Sequence, residues 1–181
     1  MSWLRNILKG RTGGRSMATL AAGTKAPEFE LKTTDGKQFS LSEALARGPV
    51  ALAFFKVSCP VCQYAFPYLE RLHKAYRQKG YTLVGVSQND AKETAAFNKE
   101  FGVTFPVLLD ELSQYPVSNA YGLTNVPTLF WIAPDGEIEV SSVGWLRSDF
   151  EEVNRKMAEA GKLSVAALFK PGESVADFRA G

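Results

Sequence analysis

The chain has 181 residues, 45% hydrophobic and 22% charged, with a formal net charge of +2, values that fit one soluble domain with tails and supply no bulk charge for a nucleic-acid partner. Two cysteines are too few for a disulfide-stapled secreted scaffold, no stretch is long and apolar enough to span a bilayer, and the N-terminus lacks the apolar run of a secretory signal. The expected location is the cytoplasm, where a closely spaced cysteine pair is more often catalytic or metal-binding than structural.

Charge is unevenly placed along the chain. Residues 1–27 hold Arg5, Lys9, Arg11, Arg15 and Lys25 and no acid; residues 28–181 hold the other 16 bases against all 19 acids, a net of −3. Residues 1–24 read as a basic tail. Trp3, Leu4, Ile7 and Leu8 can share one helical face, which would let the segment touch a membrane surface without inserting stably. Gly10, Gly13 and Gly14 cut that helix short.

The folded domain is expected to run from residue 25 to residue 161. Phe29 and Leu31 alternate with charge as in an edge strand, and Asp35-Gly36 marks a turn. Phe39, Leu41 and Leu45 lead through a short helix to Gly48-Pro49. Val50–Phe55 is a continuous apolar run, the mark of a buried central strand. A helix follows from Pro60 to about Gln78, with Phe66, Leu69, Leu72 and Tyr76 at three- and four-residue steps and with Pro67 expected to bend it. Residues 81–87 form a second buried strand, 91–101 a helix, 105–109 a short extended run and 117–121 a helix that ends at Gly122. Thr128–Ile132 is a third strand, turned by Pro134-Asp135-Gly136 into a fourth over 137–143. Phe150, Val153 and Met157 place a last helix over 150–160. This order indicates an α/β fold with right-handed βαβ crossovers. Residues 162–181 form a C-terminal extension in which Val165, Leu168 and Phe178 either pack back on the domain or fray.

Both cysteines lie in SCPVC, at Cys59 and Cys62. A buried strand delivers Cys59 to a helix start, and Pro60 takes the first helical position, where a missing amide hydrogen costs nothing. Unpaired amides and the helix dipole there favour an anion, and the thiolate is the attacking species in disulfide exchange. Cys62, one turn inward, is more shielded and near enough to close on Cys59. The expected reaction is attack by Cys59 on a partner disulfide, followed by attack of Cys62 on Cys59. A structural zinc site needs four ligands. Here only His73 accompanies the two cysteines, so no metal is expected.

Val50 to Leu72, VALAFFKVSCPVCQYAFPYLERL, resembles the active-site strand, CxxC and first helix of thioredoxin-fold proteins, and in particular the TlpA/ResA-like thiol–disulfide oxidoreductases of the redoxin (AhpC/TSA-related) group. Gly102 to Asp110, GVTFPVLLD, is similar to that branch's helix–strand insertion. Ala120-Tyr121-Gly122-Leu123 with Val126-Pro127-Thr128-Leu129-Phe130 resembles its approach to a cis-proline, and Pro134-Asp135-Gly136 its following hairpin. The likeness spans roughly residues 24–160. It implies a thioredoxin fold: a central mixed sheet flanked by helices, with an N-terminal extension and the insertion. It also implies a cis Pro127 beside the cysteine pair, Val126 pairing with a substrate backbone, and Ser58, Pro60 and Val61 forming the surface around Cys59. The implied partners are protein thiols and disulfides and an upstream protein reductant. No cofactor is expected beyond the redox-active disulfide itself, and the chain is expected to act as a monomer.

Three departures from the resemblance stand out. Ser58 occupies the place of a usual tryptophan. The buried aspartate of thioredoxin is Ala53 and the glutamate of ResA-like members is Ala65, leaving Asp90, Glu93 or Lys56 as candidates to take the Cys62 proton. The export signal usual in the branch is absent. Two other functions compete. A peroxidase of the AhpC/TSA type uses PxxxTxxC, but Leu52 and Lys56 precede Cys59 at those positions, and Phe55 and Cys59 precede Cys62. A non-enzymatic soft-metal protein would need His73 or Met157 brought to the cysteines.

Overall fold

The computed structural model describes residues 18–181; the basic segment with Trp3, Leu4, Ile7 and Leu8 lies outside them. The elements in chain order are β1 (Glu30–Thr33), β2 (Gln38–Ser40), α1 (Leu41–Leu45), β3 (Val50–Phe55), α2 (Pro60–Tyr76), β4 (Thr82–Ser87), α3 (Ala91–Phe101), β5 (Val107–Leu109), α4 (Pro116–Ala120), β6 (Thr128–Ile132), β7 (Ile138–Val143), β8 (Trp145–Leu146), α5 (Arg147–Gly161) and β9 (Phe178–Arg179). Seven strands form one sheet in the order β2-β1-β5-β4-β3-β6-β7, and β8 pairs with β9 in a second. β3, β4 and β5 are mutually parallel, joined by helical crossovers, while β6 and β7 continue antiparallel. The mixed sheet flanked by helices is the architecture that the resemblance implied.

β3 lies at the centre of this sheet, buried at all six residues. Strand side chains alternate between faces, so Ala51, Ala53 and Phe55 enter one core and Val50, Leu52 and Phe54 another. The first core holds α2 and α5, with Phe55 packed 4.3 Å from Phe66 and 4.9 Å from Phe97 between ring centroids. The second holds α1 and α4, with Tyr121 against Phe54 and Phe130. Each such buried aromatic pair adds about 0.5–1.5 kcal/mol to the burial of its area. The apolar run of β3 thus serves two cores at once, and the chain leaving it is held on both faces.

Several boundaries differ from the sequence reading. The residues around Phe39 form β2, a hairpin partner of β1, before α1 begins. β1 is therefore an inner strand, covered on its other side by β5. Helix α2 continues through Pro67 and ends at Arg77, which turns left-handed at φ 51° and donates its amide to the His73 carbonyl. Gly80 follows at φ +75°, where a Cβ would fall 2.1 Å from the Ala160 carbonyl oxygen; only glycine lets the turn after α2 meet the end of α5 this closely.

Residues 18–24 are bonded to the domain ahead of the expected start at 25. Leu20 donates its amide to Tyr121, Gly23 donates to Ile138, and Ser141 donates its hydroxyl to the Leu20 carbonyl. Residues 162–181 pack on the domain in part: Val165 and Phe178 are exposed, and the attachment rests on other groups. Leu168 is buried, Asn154 donates to the Ala166 carbonyl at 2.8 Å, and β9 pairs with β8. Among the described residues no helix is long and apolar enough to cross a membrane.

Candidate active site

Helix α2 begins where β3 ends, and Cys59 is its N-cap with extended backbone, φ −83° and ψ 115°. An N-cap side chain points back at the free amides of the first turn. The Cys59 sulfur accepts the Cys62 N–H at 3.2 Å and its S–H lies 3.2 Å from the Val126 carbonyl oxygen. When Cys59 ionises, the Cys62 amide still faces the sulfur. Pro60 stands at the first helical position and leaves no orphan donor there.

The loop ahead of Cys59 is pinned from both sides. Asn89 accepts the Val57 N–H on its Oδ1 at 3.0 Å, and Gln63 donates from Nε2 to the Val57 carbonyl at 2.9 Å. The Cys59 amide closes the turn onto the Lys56 carbonyl at 3.1 Å. Sequence reasoning did not pick out Asn89 or Gln63. Neither has a motif signal: Asn89 precedes the Asp90 cap of α3, and Gln63 reads as an ordinary helix residue.

Cys62 is fully buried in the core beside Ala53 and Ala65. Burial pushes its thiol well above the usual range, and the hydrogen bond to Cys59 adds to the shift; only the backbone at Lys56 and Cys62 opposes it. No carboxylate acts on it. Asp90 caps α3 through the Glu93 amide, and Glu93 takes the Asn89 side-chain N–H at 2.9 Å. The acids proposed to replace the missing ones are therefore engaged at the start of α3.

Val126 and Pro127 lie across from the pair, joined by a cis peptide bond. Pro127 is buried, Val126 half-buried, and Ser58 and Pro60 are exposed, with Val61 half-buried beside them. The structure thus brings Ser58, Cys59, Pro60, Val61 and Val126 to one rim. Of the soft-metal candidates, Met157 is fully buried in the core that also holds Cys62, and eleven residues of helix separate His73 from Cys62, about 16 Å of rise. Tyr64 and Trp145 stack edge to face at 5.0 Å and together hold the backbone of Ala176.

Residues 22–141 match the model of the AhpC/TSA family. The chain belongs to this family. It is 32% identical over 157 residues to the thiol-disulfide oxidoreductase ResA of Bacillus subtilis (strain 168), covering 86% of this chain and 80% of that one. It is 30% identical over 131 residues to the ResA of Geobacillus thermodenitrificans, covering 72% and 74%. Among solved structures it is similar to a thiol:disulfide interchange protein, a thioredoxin family protein from Chlorobium tepidum TLS. That pair has 29% identity and a TM-score of 0.63, over 76% of this chain and 97% of the other. The fold is therefore that of thioredoxin. Within the family, the PxxxTxxC register that marks the peroxidase alternative is missing from this chain, and the relatives just named carry disulfide-exchange names.

Proposed function

We propose that this chain is a thiol–disulfide oxidoreductase that exchanges disulfides with protein partners through Cys59 and Cys62. One observation carries the reading: a half-buried sulfur at a helix start receives the amide of the buried cysteine one turn inward and turns its S–H to the backbone carbonyl of Val126.

The steps balance as follows. The Cys59 thiolate attacks one sulfur of a partner disulfide; a Cys59–partner bond forms and the other partner sulfur leaves as a thiolate that takes a proton from solvent. Cys62 gives up its proton and attacks the Cys59 sulfur, which closes the Cys59–Cys62 bond and frees the second partner thiol. Two electrons pass to the partner, and the same steps run backwards from the oxidised chain. The electrons reside in the sulfurs, so the chemistry requires no bound cofactor, and an upstream protein dithiol resets the pair.

Val126 is assigned the backbone edge along which a partner chain lies, Pro127 the residue that holds that edge beside the sulfur, and Ser58, Pro60 and Val61 the surrounding rim. With serine at 58 the rim is small and polar next to the nucleophile. The deciding experiment is an equilibrium titration of the pair in thiol/disulfide buffers, read by mass-tagging of free thiols. A reversible two-electron transition is expected. A midpoint near about −270 mV identifies a reductant of protein disulfides, and one near about −120 mV an oxidant. Absence of any such transition refutes the reading.

A further inference from the structure

Residues 162–181 leave α5 and return across α2, and their two ends are held very differently. The part up to Ala176 is anchored. Arg71 grips the Glu173 carboxylate with two bonds of 2.7 and 2.8 Å, and Leu168 is buried. Ala176 is held on both sides: Trp145 Nε1 donates to its carbonyl at 2.6 Å, and its amide donates to Tyr64 Oη at 3.1 Å. Tyr64, Tyr68 and Arg71 follow each other at steps of four and three along the helix that begins at Cys59, so the anchor is fixed to the redox helix itself.

The last four residues are held lightly. They are exposed, and β9 makes only a two-residue pairing with β8. Arg179 rests over the Tyr64 ring at 4.0 Å, and Asn125 Nδ2 donates to the Gly181 carbonyl at 2.9 Å.

This lightly held end lies against the exchange site. A Cβ on Gly181 would fall 2.5 Å from the Val126 carbonyl oxygen, and one on Gly144 would fall 2.6 Å from the Arg179 carbonyl oxygen. The same Val126 carbonyl receives the Cys59 S–H. A polypeptide bonded to Cys59 through a disulfide must run past Val126, and successive Cα atoms are only 3.8 Å apart. Its backbone and residues 179–181 would contend for one place.

We propose that residues 178–181 are a strap that determines which disulfides the pair accepts: small-molecule disulfides react with the strap seated, and polypeptide disulfides react only once it lifts. The inference rests on the disulfide-exchange reading. The anchor at 173–176 keeps the lifted strap tethered, so reseating is a local event. Apparent affinity for a polypeptide falls by the fraction of chains with the strap lifted; a lifted fraction of about one tenth weakens it about tenfold.

The test uses a Cys62→Ser background, in which the mixed disulfide is trapped and only the attack by Cys59 is timed. Three chains are compared: full length, full length with Arg179→Ala, and one ending at Asp177. Each is mixed with excess insulin or excess cystamine, and the mixed disulfide is read by mass spectrometry. Removing the strap is expected to raise the insulin rate about fivefold or more, and Arg179→Ala to raise it in part, with the cystamine rate held within about twofold. An insulin rate that stays level or falls in the folded variants overturns the inference, a fall marking the strap as a binding wall. Failure of the full-length chain to form a mixed disulfide even with cystamine would instead sink the exchange reading beneath it.

Discussion

The buried thiol of Cys62 makes the second half of the reaction the pH-sensitive one. With 5,5′-dithiobis(2-nitrobenzoate), attack by Cys59 releases one coloured thiolate and attack by Cys62 on the mixed disulfide releases the second, so the two steps appear as successive phases. An exposed thiol of pKa about 8.5 goes from ~3% to ~76% thiolate between pH 7 and pH 9, a gain of about 25-fold that bends over at the top. Desolvation pushes Cys62 well above that range. Its thiolate fraction therefore grows about tenfold per pH unit across the whole interval, about 100-fold in all. The second phase is expected to rise with a slope of one in log rate against pH and with no plateau below pH 9. Ala53 and Ala65 are buried beside it and offer no carboxylate to collect the proton. A second phase that levels off near pH 8 would refute the reasoning, since Cys62 would then be solvated or assisted once Cys59 is engaged.

Asn89→Ala leaves the Val57 amide without its acceptor and is expected to cost about 1–3 kcal/mol in urea unfolding, together with slower attack by Cys59; unchanged stability would remove Asn89 as the residue that positions the loop. The Arg71 guanidinium, with help from the Lys170 amide, holds the Glu173 carboxyl down to about 2. A carboxylate with a lowered folded value stabilises its attachment above the ordinary value of 4.5 and loses that contribution as pH falls toward 2. Pepsin nicking near Phe169 should therefore increase across that window in the native chain, and Arg71→Ala should be nicked readily already at pH 4.5. Leu168→Ala empties a buried site and is expected to cost about 2–5 kcal/mol, measurable as a lowered urea midpoint; a loss under about 1 kcal/mol would mean that the extension contributes little to the fold.

What the sequence made legible was what local pattern encodes. The unbroken apolar run of β3 and the proline after Cys59 fixed the central strand, the helix start and the exposure order of the two cysteines. The nearness of Val126 to Cys59 is a contact across 67 residues; only resemblance pointed to it, because no local period carries it. Asn89 and Gln63 act through single hydrogen bonds to Val57 and leave no trace in hydropathy. The extension after α5 was unreadable for a related reason. It is held by an ion pair, side-chain bonds to the backbone of Ala166 and Ala176, and the apolar contacts of Leu168 and Phe169, none of which follows a helix or strand period. β9 is two residues long, too short for any alternation to register.

The position of Trp145 gives the chain an optical reporter of its own. The indole is fully buried, its ring lies 4.3 Å from Phe150 and 4.8 Å from Tyr68 between centroids, and its N–H is committed to the Ala176 carbonyl. Whatever loosens residues 173–176 from α2 frees that donor and lets water reach the ring. With Trp3 and Trp131 replaced by phenylalanine, emission from this one side chain, red-shifting as the donor is freed, can then follow the anchor in real time while the sulfur chemistry proceeds, with no dye attached near either cysteine.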